Sequence, residues 1–561
     1  MTDRDRTALD AIADAYTAEL AALDPLLATG VGIIGYDHMM TDFSPDGLAE
    51  RSALDRRTLK TLAATAPVDH VDEITAAAMR ERLEVQVELY DAGERFCDLN
   101  VIDSPLQGLR DVLDVMPTAT TDDWANIASR LSRLPGAIQG YVKSLREGAR
   151  RGLVPAQLQV TEGIKQAAEL ADPASSFFVT FTAGATPDGA PAEGPLAHDL
   201  ERAGRAAAAA YGELVTFLSD ELDAAAPDED AVGRVRYALW SRYFVGASVD
   251  LDETYEWGLE ELARTAAEQD EIVREIAGPG ASMADAVAVL DGDPARKLHG
   301  KRALQEWMQA TAEAAITALN GVHFDIPEQL QTIECLIAPT ENGGIYYTGP
   351  SDDFSRPGRM WWSVPPGVTE FNTWREKTTV YHEGVPGHHL QVGQAVALHD
   401  QLNSWRRLVS WTSGHGEGWA LYAERLMQEF GFMDDLGDRL GLVDGQRMRA
   451  TRVVLDIGVH CRKQAPARWG GGIWDASKAW DLLRANVSMD EAFLRFELNR
   501  YLGWPGQAPS YKIGQRLWEQ ARADASAAAA ARGEEFSLKD FHTKALNLGS
   551  VPLSVLGRAL T

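Results

Sequence analysis

The sequence predicts a mainly α-helical protein with one small β-sheet, and three observations support this fold class. Most segments of the first 320 or so residues repeat apolar side chains at steps of three and four, the period of an amphipathic helix. Alanine is frequent and β-branched runs are few, which favours long helices. Beyond about residue 325, three short β-branched or aromatic segments bounded by glycine and proline predict strands before helices resume.

The first part of the chain is expected to hold seven helices separated by turns. They are predicted at residues 7–23, 48–64, 72–94, 121–134, 137–146, 196–225 and 252–276. Residues 183–195, rich in Gly, Pro and Ala, are expected to form the main loop, and Pro135-Gly136 is expected to break a helix. Residues 1–324 are therefore expected to form a helical lobe that walls a cleft.

The predicted strands lie at residues 331–338, 344–348 and 358–364 and are expected to form one sheet. The last of them ends at Pro365-Pro366, shortly before a helix that carries several histidines. Residues 325–561 are accordingly expected to be the region that carries the chemistry.

Composition limits the possible partners. The 561 residues include 53 Lys and Arg against 83 Asp and Glu, a formal charge of −30, which argues against binding to nucleic acid or to an anionic membrane surface. The three cysteines are too dispersed for a disulfide framework or a thiolate zinc site. The first residues lack the apolar stretch of a signal peptide, so a cytoplasmic location is expected; the oligomeric state stays open.

The most informative segment runs from Tyr381 to His389, with the sequence YHEGVPGHH. A zinc-hydrolase helix usually carries H-E-x-x-H, with two imidazoles four residues apart on one face. Here six residues separate His382 from His388. In a regular helix His389, seven residues on, would share the face of His382 instead. Pro386 cannot donate to the helix and disfavours that regular geometry, so a local bulge is the alternative.

The segment resembles the pattern HExxPGHHLQ of the bacterial domain-of-unknown-function family 885, which is similar to zincin metallopeptidases. Related enzymes of the angiotensin-converting-enzyme and carboxypeptidase Taq kind have HExGH, and dipeptidyl peptidase III has HExxGH. This graded series implies that His382 and His388 are the ligand pair, that Pro386 marks the bulge, and that His389 is a supporting or core residue. Further similarity lies near the N-terminus, at residues 28–47, and near the C-terminus, at residues 500–514.

The resemblance also implies the remaining parts of a zinc site. Glu417 follows His388 by 29 residues, a gap after which gluzincin-type enzymes supply a third ligand, and Glu424 would support a ligating histidine. A single Zn²⁺ held in this way keeps one position open for water. Glu383 is then the expected general base.

A donor is needed for the oxyanion of acyl transfer. By resemblance, Tyr511 is the first candidate and His460 the second. Arg500, Tyr501 and Lys512 are candidates for holding the substrate. The resemblance further implies that extended peptide binds by adding a strand beside residues 358–364.

Together these observations predict a two-lobed helical, gluzincin-like zincin with a deep channel between its lobes. The expected activity is zinc-dependent hydrolysis of peptide bonds in short peptides. Two alternatives remain: a metallohydrolase of another amide or ester, and a metal-free helical scaffold that binds a partner.

Overall fold

The computed structural model describes residues 4–338 and 344–560, and most of them are helical. The helices that precede the sheet are α1 Ala8–Leu23, α2 Pro25–Gly30, α3 Pro45–Ala63, α4 His70–Asp91, α5 Pro105–Asp111, α6 Thr121–Arg150, α7 Gln157–Ala171, α8 Phe177–Ala183, α9 Gly194–Phe217, α10 Arg234–Val245, α11 Leu251–Ala277, α12 Met283–Asp291 and α13 Lys301–Leu319. A π-turn and a 3₁₀ turn extend α9 to Ala225. The predicted helices are thus confirmed with small shifts of their ends.

The predicted break at Pro135-Gly136 is wrong, because α6 continues through Pro135. A proline inside a helix costs one backbone hydrogen bond and about 3 kcal/mol. Leu131, Leu134 and Ile138 are buried on the α6 face that packs against α9. This tertiary packing outweighs the local penalty.

Buried apolar side chains form two clusters. One consists of residues between Leu99 and Leu222, on and around α5–α9. The other runs from Leu9 to Leu556 and joins side chains from both ends of the chain. The larger cluster contains residues on both sides of the expected division between residues 324 and 325. That division is therefore not a boundary between the two clusters.

The three predicted strands pair in one sheet, as expected. They are β2 Glu334–Ile337, β3 Ile345–Thr348 and β4 Arg359–Trp362, in the order β2-β4-β3, with β2 parallel and β3 antiparallel to β4. A further two-stranded ribbon, β1 Lys297–His299 with β5 Glu370–Asn372, was not predicted. It joins the start of α13 to the start of the histidine-bearing helix.

After β5 the chain returns to helices, as predicted. They are α14 Thr373–Glu383, α15 His388–Ala397, α16 Ser413–Glu429, α17 Leu436–His460, α18 Ala476–Asn486, α19 Glu491–Gly503, α20 Gln507–Ala531, α21 Leu538–Asn547 and α22 Leu553–Leu560. Helices α14, α16, α17 and α20 pack against one another. Within residues 4–338 and 344–560, no helix is long and apolar enough to cross a membrane.

The N-terminal pattern at residues 28–47 has a structural role around the buried Arg130 of α6. The Arg130 guanidinium donates to the Thr29 hydroxyl at 2.8 Å and to the carbonyls of Tyr36 and Met39 at 3.0 and 2.8 Å. Thr29 in turn donates to Asp37 at 2.6 Å. This network fastens the N-terminal loop to the cluster formed by α5–α9.

Candidate metal centre

The chain between α14 and α15 leaves the helical path at residues 384–387, which places His388 beside His382. The Gly387 N–H donates to the carbonyl of Tyr381 at 3.1 Å, and the His389 N–H donates to that of Gly384 at 3.1 Å. A Cβ on Gly387 would lie 1.9 Å from the His382 carbonyl oxygen. Glycine is therefore needed for the chain to fold back on α14. The Trp419 indole donates to the Pro386 carbonyl at 2.8 Å, and this hydrogen bond stabilises the turn.

Three side chains from three helices meet at this turn. His382 Nε2 lies 3.2 Å from a carboxylate oxygen of Glu417, and His388 Nε2 lies 3.4 Å from the same oxygen. The two imidazole rings are 4.9 Å apart, centroid to centroid, and perpendicular. His382 and His388 are buried, and Glu417 is slightly more accessible.

Two of the three ligand separations are compatible with a tetrahedral metal ion, and all three lie within 4.8 Å. Zinc bonds to histidine nitrogen and carboxylate oxygen are about 2.0–2.2 Å long, so tetrahedral ligand atoms stand roughly 3.3–3.5 Å apart. The separations of 3.2 and 3.4 Å agree with that edge length. Two histidines and one glutamate also match the donor set of a catalytic site that leaves one position open.

His382 is oriented by a second carboxylate. Its Nδ1 lies 2.7 Å from Glu424, which also accepts a hydrogen bond from Thr378 at 2.9 Å. This leaves Nε2 facing Glu417 and His388. Burial lowers the pKa of His382, but hydrogen bonds to the two glutamates outweigh it, so the pKa rises to about 10. Burial favours neutral Glu417, yet the two histidines hold its pKa well below its usual range.

His389 points away from this cluster. Its Nδ1 lies 3.0 Å from the Tyr347 hydroxyl of β3 and its Nε2 lies 3.0 Å from the Leu330 carbonyl. Burial lowers the pKa of His389 to about 4. The regular helix that would place His389 on the face of His382 is therefore not formed: the chain brings His388 to Glu417, and His389 fastens α15 to β3 and to the turn at Leu330.

Glu383 is buried beside the cluster, and its carboxylate makes no hydrogen bond with residues 4–338 or 344–560. Burial raises its pKa, the Glu417 charge adds to this, and His382 and His388 oppose it. A carboxylate whose pKa is raised accepts a proton more readily than an ordinary one, which suits it to proton exchange.

Tyr511 lies on α20, which packs unusually closely against α16, the helix that bears Glu417. A Cβ on Gly514 would lie 2.0 Å from the Gly414 carbonyl oxygen, and one on Gly418 would lie 2.4 Å from the Gly514 carbonyl carbon. Burial raises the pKa of Tyr511, and the Glu417 charge raises it further, while Arg500 and Arg452 lower it. The phenol is thus subject to the opposing charges of Glu417 and of the two arginines.

A network of buried polar side chains adjoins Tyr511. Arg452 of α17 binds Glu497 at 2.7 Å and donates to the Tyr501 hydroxyl at 2.7 Å; its guanidinium carbon lies 5.0 Å from the centre of the Tyr511 ring. Arg500 donates to Glu497 at 3.1 Å. Two arginines share one glutamate, which leaves an excess positive charge near Tyr511. Sequence reasoning missed Arg452, although an arginine directly before the apolar run Val453–Leu455 was a usable signal.

Three predicted substrate or catalytic residues are otherwise engaged. The Lys512 ammonium binds Glu261, Gln446 and Gln515 at 2.6–2.9 Å, so all three of its N–H donors are used. The Tyr501 hydroxyl donates to Glu497 and accepts from Arg452. His460 Nε2 bonds to the Tyr501 carbonyl at 2.9 Å, and its ring stacks on Tyr237. The contacts of Lys512, Tyr501 and His460 are structural, and none of them is with the cluster.

The prediction that an extended peptide adds as a strand beside residues 358–364, which contain β4, is wrong. β4 is the central strand of its sheet, so its backbone groups are used on both sides. The outer side of β2 is covered by α13, where Gln305 donates to the Cys335 carbonyl at 2.9 Å and Gln309 accepts from the Cys335 N–H at 3.0 Å. Only β3 presents an outer edge without such contacts from the described residues.

Similar folds are found in two solved structures. One, described as "the putative lipoprotein from Colwellia psychrerythraea", has a TM-score of 0.83, 22% identity and 98% coverage of both chains. Another, "a putative lipoprotein of unknown function from Shewanella oneidensis", has a TM-score of 0.72, 16% identity and 99% coverage of both chains. At these identities the likeness shows the fold alone.

Comparison with curated proteins finds no match. Residues 25–560, nearly the whole chain, match the family described as "Bacterial protein of unknown function (DUF885)". The chain therefore belongs to this family, as the HExxPGHHLQ pattern predicted.

Proposed function

We propose that the protein is a zinc-dependent hydrolase of peptide bonds in short peptides. One observation carries the proposal: the His382 and His388 nitrogens lie 3.2 and 3.4 Å from one oxygen of Glu417, with the buried Glu383 carboxylate beside them. The resemblance to gluzincin-type peptidases supports peptide as the substrate class. A two-lobed zincin-like architecture with a deep substrate channel is part of the same proposal.

The chain supplies the groups that this reaction needs. Zinc, when bound, would lower the pKa of a coordinated water to about 7 and polarise the scissile carbonyl. Glu383 takes the proton from the attacking water and returns it to the leaving amine. Tyr511 donates its O–H to the carbonyl oxygen as negative charge develops there. Arg500 and Arg452 hold the phenol in place and stabilise that charge electrostatically.

Metal content is the first test. Purified protein should hold about one zinc per chain, and His382→Ala, His388→Ala and Glu417→Ala should each lose it. His389→Ala is the matched control within the same turn and should keep the metal, as should His399→Ala at an exposed histidine. Loss of zinc from His389→Ala with retention by His388→Ala would contradict the proposed ligand set.

Catalysis is tested separately from metal binding. Glu383→Gln should keep zinc and lose roughly 10²–10⁴-fold in kcat/KM, because only the proton-transfer group is removed. Free dipeptides, blocked amides and esters should be assayed in parallel. Turnover of blocked amides or esters without any peptide would favour the alternative metallohydrolase.

One observation favours the metal-free scaffold. His382 lies 2.7 Å from Glu424 and 3.2 Å from Glu417, so hydrogen bonds can hold the cluster together without an ion. Absence of zinc from protein purified and reloaded under metal-replete conditions would support this alternative.

The cytoplasmic location is likewise a proposal. Both structural neighbours carry the description "putative lipoprotein", and a location outside the cytoplasm is the alternative that this description suggests. Cell fractionation with an antibody to the native chain decides between the two compartments.

A further inference from the structure

Trp411 is a half-exposed aromatic side chain beside the candidate metal centre. It follows a π-turn, Trp405–Val409, and precedes α16, the helix that bears Glu417. Its ring centroid lies 6.2 Å from that of His388 with a tilt of 55°. Trp411 is 48% exposed, whereas Trp405 and Trp419 on either side in sequence are buried.

The indole is held in place on one side. A Cβ on Gly416 would lie 2.2 Å from the far edge of the Trp411 ring, so the ring rests on the glycine that precedes Glu417. The loop beneath it is fixed, because Ser410 donates through its N–H to the Trp405 carbonyl at 2.7 Å and through its hydroxyl to the Ser550 carbonyl at 2.9 Å. Trp411 is therefore a positioned apolar surface with one free side.

A single exposed apolar side chain needs no special explanation in itself. Trp411, however, lies against a candidate ligand, and binding pockets are lined by aromatic and apolar side chains around a few polar groups. Ile473 and Val322, which are also strongly exposed, lie in the segments before α18 and after α13, and neither segment bears a residue of the cluster. An indole also offers a flat, rigid surface against which aromatic and aliphatic groups pack well.

We propose that Trp411 forms the apolar subsite of this centre and receives an aromatic or large aliphatic side chain next to the scissile bond. This inference rests on the proposed peptidase function and specifies which side chains its peptide substrates carry next to the scissile bond. The protein should therefore prefer short peptides with a Phe, Tyr or Leu flanking the cleaved bond over matched peptides with Ala there.

Matched dipeptides and tripeptides that differ only in Phe or Ala at each position beside the bond test the proposal. Trp411→Ala should lower the ratio of kcat/KM for Phe over Ala peptides at least tenfold, with zinc content unchanged. Trp411→Phe should restore most of that ratio. Ile473→Ala, which removes an equally exposed apolar side chain elsewhere, should leave it unchanged.

Binding of phenylalanine hydroxamate and alanine hydroxamate to zinc-loaded protein gives a second readout that needs no turnover. Trp411→Ala should weaken the phenylalanine compound at least tenfold more than the alanine compound. Peptide hydrolysis with the same Phe-to-Ala ratios in wild type and Trp411→Ala would overturn the subsite and leave the proposed function standing. A wild-type protein that binds no zinc would overturn both.

Discussion

His388 and His389 are neighbours in the chain but have different environments. His388 lies against Glu417, whereas His389 bonds to Tyr347 and Leu330. The spacing of the residues alone favoured His389, and the comparison with shorter related motifs favoured His388. Helix periodicity failed here because it assumes a continuous helix, and the chain leaves that path at Gly384.

Glu424 illustrates how a residue outside the ligand set supports it. Its carboxylate accepts from His382 and from Thr378. We expect Glu424→Gln to weaken zinc binding about 10–100-fold, because partners of this kind fix the tautomer and raise the basicity of the ligating histidine. Competition with a chromophoric chelator measures the change. Glu429→Gln, at an accessible position of the same helix, is the control; an equal loss in both variants would show that Glu424 has no special role.

Some site residues had no signal in the sequence. Trp411 is one of fifteen tryptophans, and nothing in its neighbours distinguishes it from Trp405, which is buried. Lys512 carried the charge expected of a substrate anchor, but its partners Glu261 and Gln446 are distant in sequence. Whether a charged group is free or engaged depends on tertiary contacts, which local patterns do not contain.

At the scale of elements, the turn between α14 and α15 determines whether the cluster forms. We expect Gly387→Ala to abolish stoichiometric zinc binding, because the added Cβ would meet the His382 carbonyl oxygen at 1.9 Å and push His388 away. Elemental analysis of the folded variant measures this.

Gly393→Ala is the matched control for Gly387→Ala in the same segment. Its Cβ would meet the flexible Leu330 side chain at 2.3 Å, so it should cost stability and keep zinc. Full zinc content in Gly387→Ala would show that the turn tolerates a side chain and does not set the geometry.

The packing of α16 on α20 makes a second prediction. Gly514→Ala would place a Cβ 2.0 Å from the Gly414 carbonyl oxygen, so the helices must separate. We expect a loss of about 1–3 kcal/mol in the free energy of unfolding, typical of overpacking, and reduced activity as Tyr511 moves from Glu417. Gly212→Ala in α9 has no atom within 4 Å and should be neutral or stabilising by up to about 1 kcal/mol. If urea unfolding gives the same change in the free energy of unfolding for Gly514→Ala and Gly212→Ala, the close-packing argument is contradicted.

Helices were easier to predict than their connections. The 3.6-residue period located six of the thirteen helices that the structure describes before the sheet, because one face of each is buried, as on α6 and α9. The helices that were not predicted are α2, α5, α7, α8, α10, α12 and α13. Pro135 misled the prediction since local propensity is weaker than the packing around it. The position of β4 at the centre of its sheet was unpredictable, because strand order depends on pairing between segments and not on the strand itself.

At the scale of the whole molecule, distant segments meet at buried polar groups inside the larger apolar cluster. Asp456 of α17 accepts from the Tyr237 hydroxyl of α10 at 2.7 Å and from the Gly506 N–H at the start of α20 at 2.9 Å. Its second oxygen is buried and has no partner among residues 4–338 and 344–560. Burial raises the pKa of Asp456 to about 7.

The raised pKa of Asp456 predicts how the stability of the protein depends on pH. The folded protein keeps a proton on Asp456 between about pH 4 and 7 that the unfolded chain releases, so this group lowers the free energy of unfolding as pH rises through that range. At about 1.4 kcal/mol per pH unit, the decrease between pH 5 and 7 is at most about 2–3 kcal/mol. Asp456→Asn imitates the neutral acid and should remove the pH dependence that Asp456 contributes. The free energy of unfolding of the variant should therefore increase relative to that of wild type as pH rises. Urea unfolding at pH 4, where both side chains are neutral, isolates the cost of the substitution itself. A difference between the two proteins that stays constant from pH 4 to 8 would show that Asp456 is ionised in the folded state.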